Sequence, residues 1–450
     1  MSTLLLRGIS ILSGPLFTRL LGTNGYGVVM VYNTWVSVLA IACSLQTQGT
    51  LVNARVEFPE EEQPGYQSSV MSLSLLSFLM CSVLIAVFVG PVSRALQLSK
   101  VLIGLMLFQA FGTFCVGFLN NKFTYEFKAG RNMALSVGVA VSTITLALIL
   151  VLLLPGEINY YGRILGNALI NGGVGIAASI LVLRRGKLLY NERYWKFCLR
   201  LAIPVVCYNL SDLALGHSDL VMLQRLRGES ASGIYGYAYQ FGGIMFTIFE
   251  AVNNGWVPFF FDDMKNGRRK EIRRQEVHYL EVYTVLSVGF ILLFREVFSL
   301  YARWDFWDGI PLIPVFVASF YLNFLCTFPV NFEYFHKKTN VIAVVTISSA
   351  VLNLGLNYVL IRRFGMLGAA IATMLSHLFQ FACHFLYSRF LLGKGDYPFL
   401  SLGWLAYAAC FAGAVAIVYL LPGMWYVRWG LGAALGVWEL LRIRKRKSLF

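Results

Sequence analysis

The sequence predicts an all-α, polytopic membrane protein of about 14 transmembrane helices, built as two pseudo-symmetric six-helix halves plus an appended helix pair. Three observations carry that prediction. The chain is 450 residues long, 58% hydrophobic and only 13% charged, with a mean hydropathy of +0.67, which is more apolar surface than a soluble domain of this length can bury. Apolar runs of roughly 20 residues, the length that crosses a bilayer, follow one another between short polar breaks. Finally, Thr18 to Tyr32, TRLLGTNGYGVVMVY, returns in degraded form as QRLRGESASGIYGYA, starting at Gln224. In that register Arg19 falls on Arg225, Gly22 on Gly228 and Gly27 on Gly233, while Tyr161-Gly162-Arg163 falls on Leu367-Gly368-Ala369 with the same offset. A common register over such a distance points to a duplicated chain.

The expected spans lie near 3–21, 27–49, 68–91, 100–121, 132–154, 162–183, 198–223, 232–257, 278–302, 311–335, 340–361, 367–390, 400–421 and 423–441. Residues 1–183 then form the N-terminal half and 201–392 the C-terminal half. The basic, aromatic stretch 184–200, RRGKLLYNERYWKFCLR, is a cytoplasmic linker suited to lie along headgroups, and 393–450 holds the appended pair and a basic tail. Six spans separate the repeated turns, so both copies run the same way through the membrane, as in transporters with parallel repeats.

The net charge of +15 does not indicate nucleic acid, because the positive residues are spread over the breaks between apolar runs. With both termini placed in the cytoplasm, 25 of the 37 Lys and Arg residues fall on the cytoplasmic side, which favours that orientation. The eight cysteines lie almost all inside apolar runs, without a CxxC pair or a histidine at ligand spacing, so neither a metal centre nor a cofactor is expected.

The run PLFTRLLG followed by YGVVMVYNTWVSVLAIACSL, together with HSDLVMLQRLRGESASGIYGYAYQ and GMLGAAIATMLS, resembles the oligosaccharide flippases of bacterial surface polysaccharide assembly. These belong to the multidrug, oligosaccharidyl-lipid and polysaccharide exporter superfamily. The resemblance implies a V-shaped bundle of two halves around a central cavity that opens alternately to each side. It also implies a polyprenyl-diphosphate-linked oligosaccharide as cargo, membrane lipids as surroundings, a polysaccharide polymerase as a candidate partner, and the bacterial cytoplasmic (inner) membrane as location, in service of O-antigen, capsule or exopolysaccharide synthesis.

Candidate site residues follow from charge inside apolar runs. Arg7 lies within the first span, where a charge costs at least about 2.5–3.5 kcal/mol. In related peptidoglycan-precursor flippases an arginine twelve residues before the matching motif lines a cationic cavity, and Arg7 stands at that distance from Arg19. The cargo diphosphate would be its counter-charge; the alternative is that Arg7 snorkels to headgroups. Asp212, His217 and Asp219 lie in the seventh span, the two carboxylates two turns apart on one face. Relatives driven by cation gradients place an ion site between helices seven, eleven and twelve, where Asn353, Asn357 and His377 are available, so coupling to a Na+ or H+ gradient is an expectation. The alternative is a structural partner for Asp219. Glu250 is a cavity or relay candidate in the eighth span. Glu333 is expected in an interfacial pair with the following lysines, and Arg295 with Glu296 in a surface pair.

Arg19 and Arg225 are candidates for contacting cargo, though an architectural role at the repeated turns, with Gly25-Tyr26-Gly27 as the flexible corner, suits their symmetry better. Arg131 and Arg163 are read in the same way. The expected function is a flippase that makes and breaks no covalent bond. The alternatives are a cation-coupled multidrug or toxin exporter, which Asp212, Asp219 and Glu250 favour, and a membrane polysaccharide polymerase or ligase, which the short outer loops disfavour.

Overall fold

The computed structural model describes the backbone of residues 2–393, 397–399 and 401–446, and their side chains except at 2–7, 10–12, 401–403 and 443–446. Every regular element among the described residues is helical: α1 (Ser2–Ser44), α2 (Leu51–Glu57), α3 (Gln63–Val87), α4 (Val89–Leu96), α5 (Lys100–Tyr125), α6 (Ala129–Leu153), α7 (Tyr160–Gly186), α8 (Glu192–Arg227), α9 (Glu229–Lys265), α10 (Arg269–Tyr301), α11 (Ile313–Phe335), α12 (Thr339–Leu386), α13 (Ser401–Leu420) and α14 (Trp425–Arg446), with short 3-10 and π turns between some of them. Nine of the described helices are long and apolar enough to cross a membrane. Two elements are folded rather than straight. α1 continues through Gly22 at φ 63°, and α12 through Gly365 at φ 60°. Each therefore supplies two of the expected spans, while α2 and α4, at 7 and 8 residues, are too short to cross.

The chain divides into two compact units, residues 1–233 and 234–450. In the first, α7 packs against α3, α5 and α6, and small residues let backbones approach. A Cβ on Gly112 of α5 would lie 2.2 Å from the Asn171 carbonyl of α7, and one on Gly166 would lie 2.5 Å from Ala147 of α6. Such small-residue seams replace the hydrophobic drive that is missing in lipid. Apolar side chains that face away from the unit, among them Leu79, Met80, Val83 and Leu84 of α3 and Leu152 and Leu153 of α6, are exposed, as a lipid-facing surface requires.

The repeated turns take matching forms. Gly228, the copy of Gly22, also has a positive φ of 93°, so both corners use the left-handed region that only glycine enters cheaply. The corner is this single residue: Gly25, Tyr26 and Gly27 already lie in helix, and Gly27 serves close approach instead of flexibility. A Cβ there would sit 2.0 Å from the Glu229 carbonyl oxygen, and one on its copy Gly233 would sit 2.0 Å from that of Thr23. Thr23 and Glu229 are themselves a repeat pair, so the contact is reciprocal, and the Ser230 hydroxyl closes it by donating to Thr23 Oγ1 at 2.8 Å.

The second unit has an aromatic core in which Trp256, Tyr279, Tyr283, Phe324 and Phe328 touch edge to face or tilted. The appended pair docks on α10 through three carboxylates. Glu276 accepts from Trp404 Nε1, Glu281 pairs with Arg442, and Glu296 pairs with the fully buried Arg428 and accepts from Trp429 Nε1 at 3.1 Å. Glu296 thus finds its partner on α14, and the expected surface pair with Arg295 gives way to it.

Candidate functional site

A cavity of about 320 Å³ opens within the first unit between α1, α5, α6 and α7. Its polar wall comes from one stripe of α7: Arg163, Asn167 and Asn171, spaced by four residues and so stacked on one face over about 12 Å. Opposite them stand Ser13, Asn120, Ser136 and Thr143. The Arg163 guanidinium lies over the Phe17 ring, 3.7 Å from its centroid, and its Nη1 is buried without a hydrogen-bond partner, as are Asn167 Oδ1 and Thr143 Oγ1. The other polar groups are spoken for, Asn171 by the Asn167 carbonyl at 2.9 Å and Ser136 by Asn120 at 3.2 Å. Arg163 has no carboxylate within ion-pair reach among the described residues. A cation with a vacant donor beside a vacant amide oxygen and hydroxyl suits an anionic, hydroxyl-bearing ligand.

The sequence-expected residues separate by unit. Within the first, the Arg7 side chain lies outside the described residues. Arg19 is exposed just before the Gly22 corner. Arg225 is exposed at the end of α8 and donates to the Ala95 carbonyl of α4, holding that short helix in place. Along α8, Asp212 is exposed, His217 half-buried and Asp219 fully buried, with Asp219 Oδ1 accepting from the Leu220 amide at 2.8 Å. The carboxylates share a helix face but differ in environment.

Within the second unit, Asn353 and Asn357 are fully buried and adjacent. Asn357 Nδ2 donates to Asn353 Oδ1 at 2.8 Å, and Asn353 Nδ2 reaches Thr373 Oγ1 at 3.4 Å, across the fold of α12. Asn357 Oδ1 is buried without a donor, an acceptor open to a cation or water. His377, one turn beyond Thr373, instead joins α11: its Nδ1 lies 2.7 Å from Ser319 Oγ. Glu250 is half-buried.

Sequence reasoning missed one cluster. Glu333 has zero exposure and holds His384 Nδ1 at 2.9 Å, while the Ser388 hydroxyl donates to it at 3.0 Å. It is therefore a buried pair across α11 and α12, not an interfacial one with Lys337 and Lys338. The 51-residue separation of the partners left no local signal. Arg163, which the sequence marks as an architectural residue or a cargo contact, lies in an R-x-x-x-N-x-x-x-N pattern whose asparagines carry no charge to single them out.

A family model described as polysaccharide biosynthesis protein matches residues 1–264. The chain belongs to that family. No curated protein sequence matches the chain. Among solved structures, this member of the polysaccharide biosynthesis family is similar to the lipid II flippase MurJ in an inward closed conformation, at 14% identity and TM-score 0.74 over 99% of each chain. It is also similar to an inward-facing multidrug resistance MATE family transporter of the MOP superfamily, at 14% identity and TM-score 0.64 over 88% of this chain and 95% of that one. A Vibrio cholerae MATE transporter matches at 14% identity and TM-score 0.55, again over 88% and 95%. At such identity the likeness is one of fold. The matching structures are those of a flippase and of transporters.

Proposed function

We propose that this protein is a flippase that carries a polyprenyl-diphosphate-linked oligosaccharide from the cytoplasmic to the outer leaflet of the bacterial inner membrane by alternating access. It serves surface polysaccharide assembly, with a polysaccharide polymerase as the consumer of its product. The observation that supports this most is the Arg163 cavity, where a guanidinium with a vacant donor faces amide and hydroxyl groups. Moving a diphosphate and sugar hydroxyls through hydrocarbon unaided would be prohibitive. Among the described lining residues Arg163 is a cation without a carboxylate beside it, which lowers that cost for an anion and offers nothing to a cationic drug. Family membership and the fold shared with a lipid II flippase point the same way. Asn353, Asn357 and Thr373, with the vacant Asn357 oxygen, form the best-built candidate for an ion-coupling site in a Na+- or H+-driven cycle; Asp212, His217 and Asp219, in the first unit, are a separate candidate.

The test is the leaflet distribution of the lipid-linked precursor in membranes of a deletion strain. Accumulation on the cytoplasmic side, relieved by the wild-type gene but not by Arg163→Ala, is the expected result. An unchanged distribution on deletion sinks the reading, and drug resistance on overexpression with normal surface polysaccharide would favour the exporter instead.

A further inference from the structure

A second, larger cavity of about 780 Å³ lies in the first unit at the end of the bundle that carries the α5–α6 turn. That volume is in the range of sites for small organic ligands. Four cations line it, Arg55 of α2, Lys122 of α5, Lys128 of the turn and Arg185 of α7, against two carboxylates, Glu60 and Glu126. All four cations are residues that the charge count puts in the cytoplasm, and the fold gathers them from four chain segments into one hollow.

The walls are built, not incidental. Gln63 Nε2 donates to the carbonyls of Ala54 at 2.9 Å and Phe58 at 2.8 Å, tying the end of α2 to the start of α3. Gly186 sets the end of α7 directly on Pro64, where a Cβ would lie 2.0 Å from the carbonyl oxygen, and this places Arg185 at the rim.

The charges are left under-compensated. The Lys122 side chain is only 5% exposed, yet its carboxylate, Glu126, stands 3.8 Å away and holds Lys128 at 2.6 Å through its other oxygen. Arg55 rests on the Phe127 ring at 5.2 Å. Arg185 has no carboxylate within ion-pair distance among the described residues. A buried ammonium that shares its one counter-ion among the described residues is costly to keep, and an excess of two positive charges in a hollow of this size matches a dianion. Lysine and arginine together are the donors that phosphoryl oxygens select.

We infer that this pocket is a phosphoryl-binding station on the cytoplasmic face, distinct from the Arg163 cavity, which takes the phosphoryl headgroup of a lipid. Its assignment to the cargo diphosphate rests on the flippase reading; phosphoryl binding itself does not.

The experiment uses the full chain in neutral detergent, carrying Arg163→Ala so that the other cavity is removed from the measurement, and titrates inorganic pyrophosphate by calorimetry at fixed ionic strength. The expected result is saturable binding that Lys122→Met and Arg185→Gln each weaken at least tenfold, that Lys122→Arg largely retains, and that Lys196→Gln, on the exposed start of α8, leaves unchanged, with melting temperatures reporting that each variant is folded. No saturable binding, or equal binding in all variants, overturns the site. Farnesyl diphosphate and phosphatidylglycerol micelles, added as competitors, separate the sources. Displacement by farnesyl diphosphate at lower concentration supports the cargo assignment, whereas stronger displacement by phosphatidylglycerol overturns it in favour of a membrane phospholipid. A normal leaflet distribution on deletion would end the flippase reading while leaving pyrophosphate binding standing, so the two ideas fail separately.

Discussion

Arg163 stands in a setting that its position in the chain does not suggest. It sits in the first turn of α7, where an arginine normally reads as an anchor to headgroups, but the Phe17 ring beneath it and the asparagines a turn and two turns below turn it into a cavity wall. Arg163→Lys keeps the charge and loses the planar fork, so it is expected to retain part of the flipping rate, while Arg163→Ala lowers it about 10- to 100-fold, the loss of a charge-assisted contact; initial rates of precursor translocation in proteoliposomes check this. Glu333 and His384 make a complementary prediction about stability. Removing one partner of a buried pair strands the other, at a cost of about 3–5 kcal/mol, so Glu333→Leu should lower the melting temperature clearly. The double variant Glu333→Leu/His384→Leu should recover most of that loss, and a further fall in the double variant would contradict the pairing.

At the scale of elements, the reciprocal contact of the repeated turns sets a steric limit. Gly27→Ala puts a methyl group on the Glu229 carbonyl, whereas Gly25→Ala meets its neighbours at 3.4 Å, ordinary contact. Gly27→Ala is therefore expected to reduce folded yield and melting temperature by far more than Gly25→Ala, read by fluorescence-detected size-exclusion and thermal melts. These elements also show what was legible beforehand. The fourteen apolar runs were readable because each must satisfy its backbone within itself, and the kinked α1 and α12 still divide where expected, at Gly22 and Gly365. The short α2 and α4 were not readable, since 7 or 8 residues are too few for a period to emerge. Repeat register pointed to Gly27 and Gly233 but not to their purpose: a glycine for a corner and a glycine for contact look the same in sequence. Sites were legible where polar residues recur on one helix, as in α8 and α7, and illegible where the fold joins distant segments, as at Lys122 and Glu333.

For the molecule as a whole, duplication explains the shared corners but not the chemistry. Both cavities lie in the first unit, and the buried asparagine and Glu–His clusters lie in the second. The appended pair belongs to neither copy, yet it is energetically part of the second unit. Arg428→Ala would leave the partly exposed Glu296 without another described cation, and an expected loss of about 1–3 kcal/mol would show as a lower melting temperature of the purified protein with the aromatic core unchanged in near-ultraviolet circular dichroism.

The docking of α13 and α14 on α10 also bears on how the protein is made. The partners of Glu276, Glu281 and Glu296 lie 128, 161 and 132 residues downstream. At about 5–20 residues per second, α10 precedes these partners by roughly 6–30 s. During that interval these docking bonds cannot form, so the seating of α13 and α14 on α10 is a late step in the assembly of the second unit.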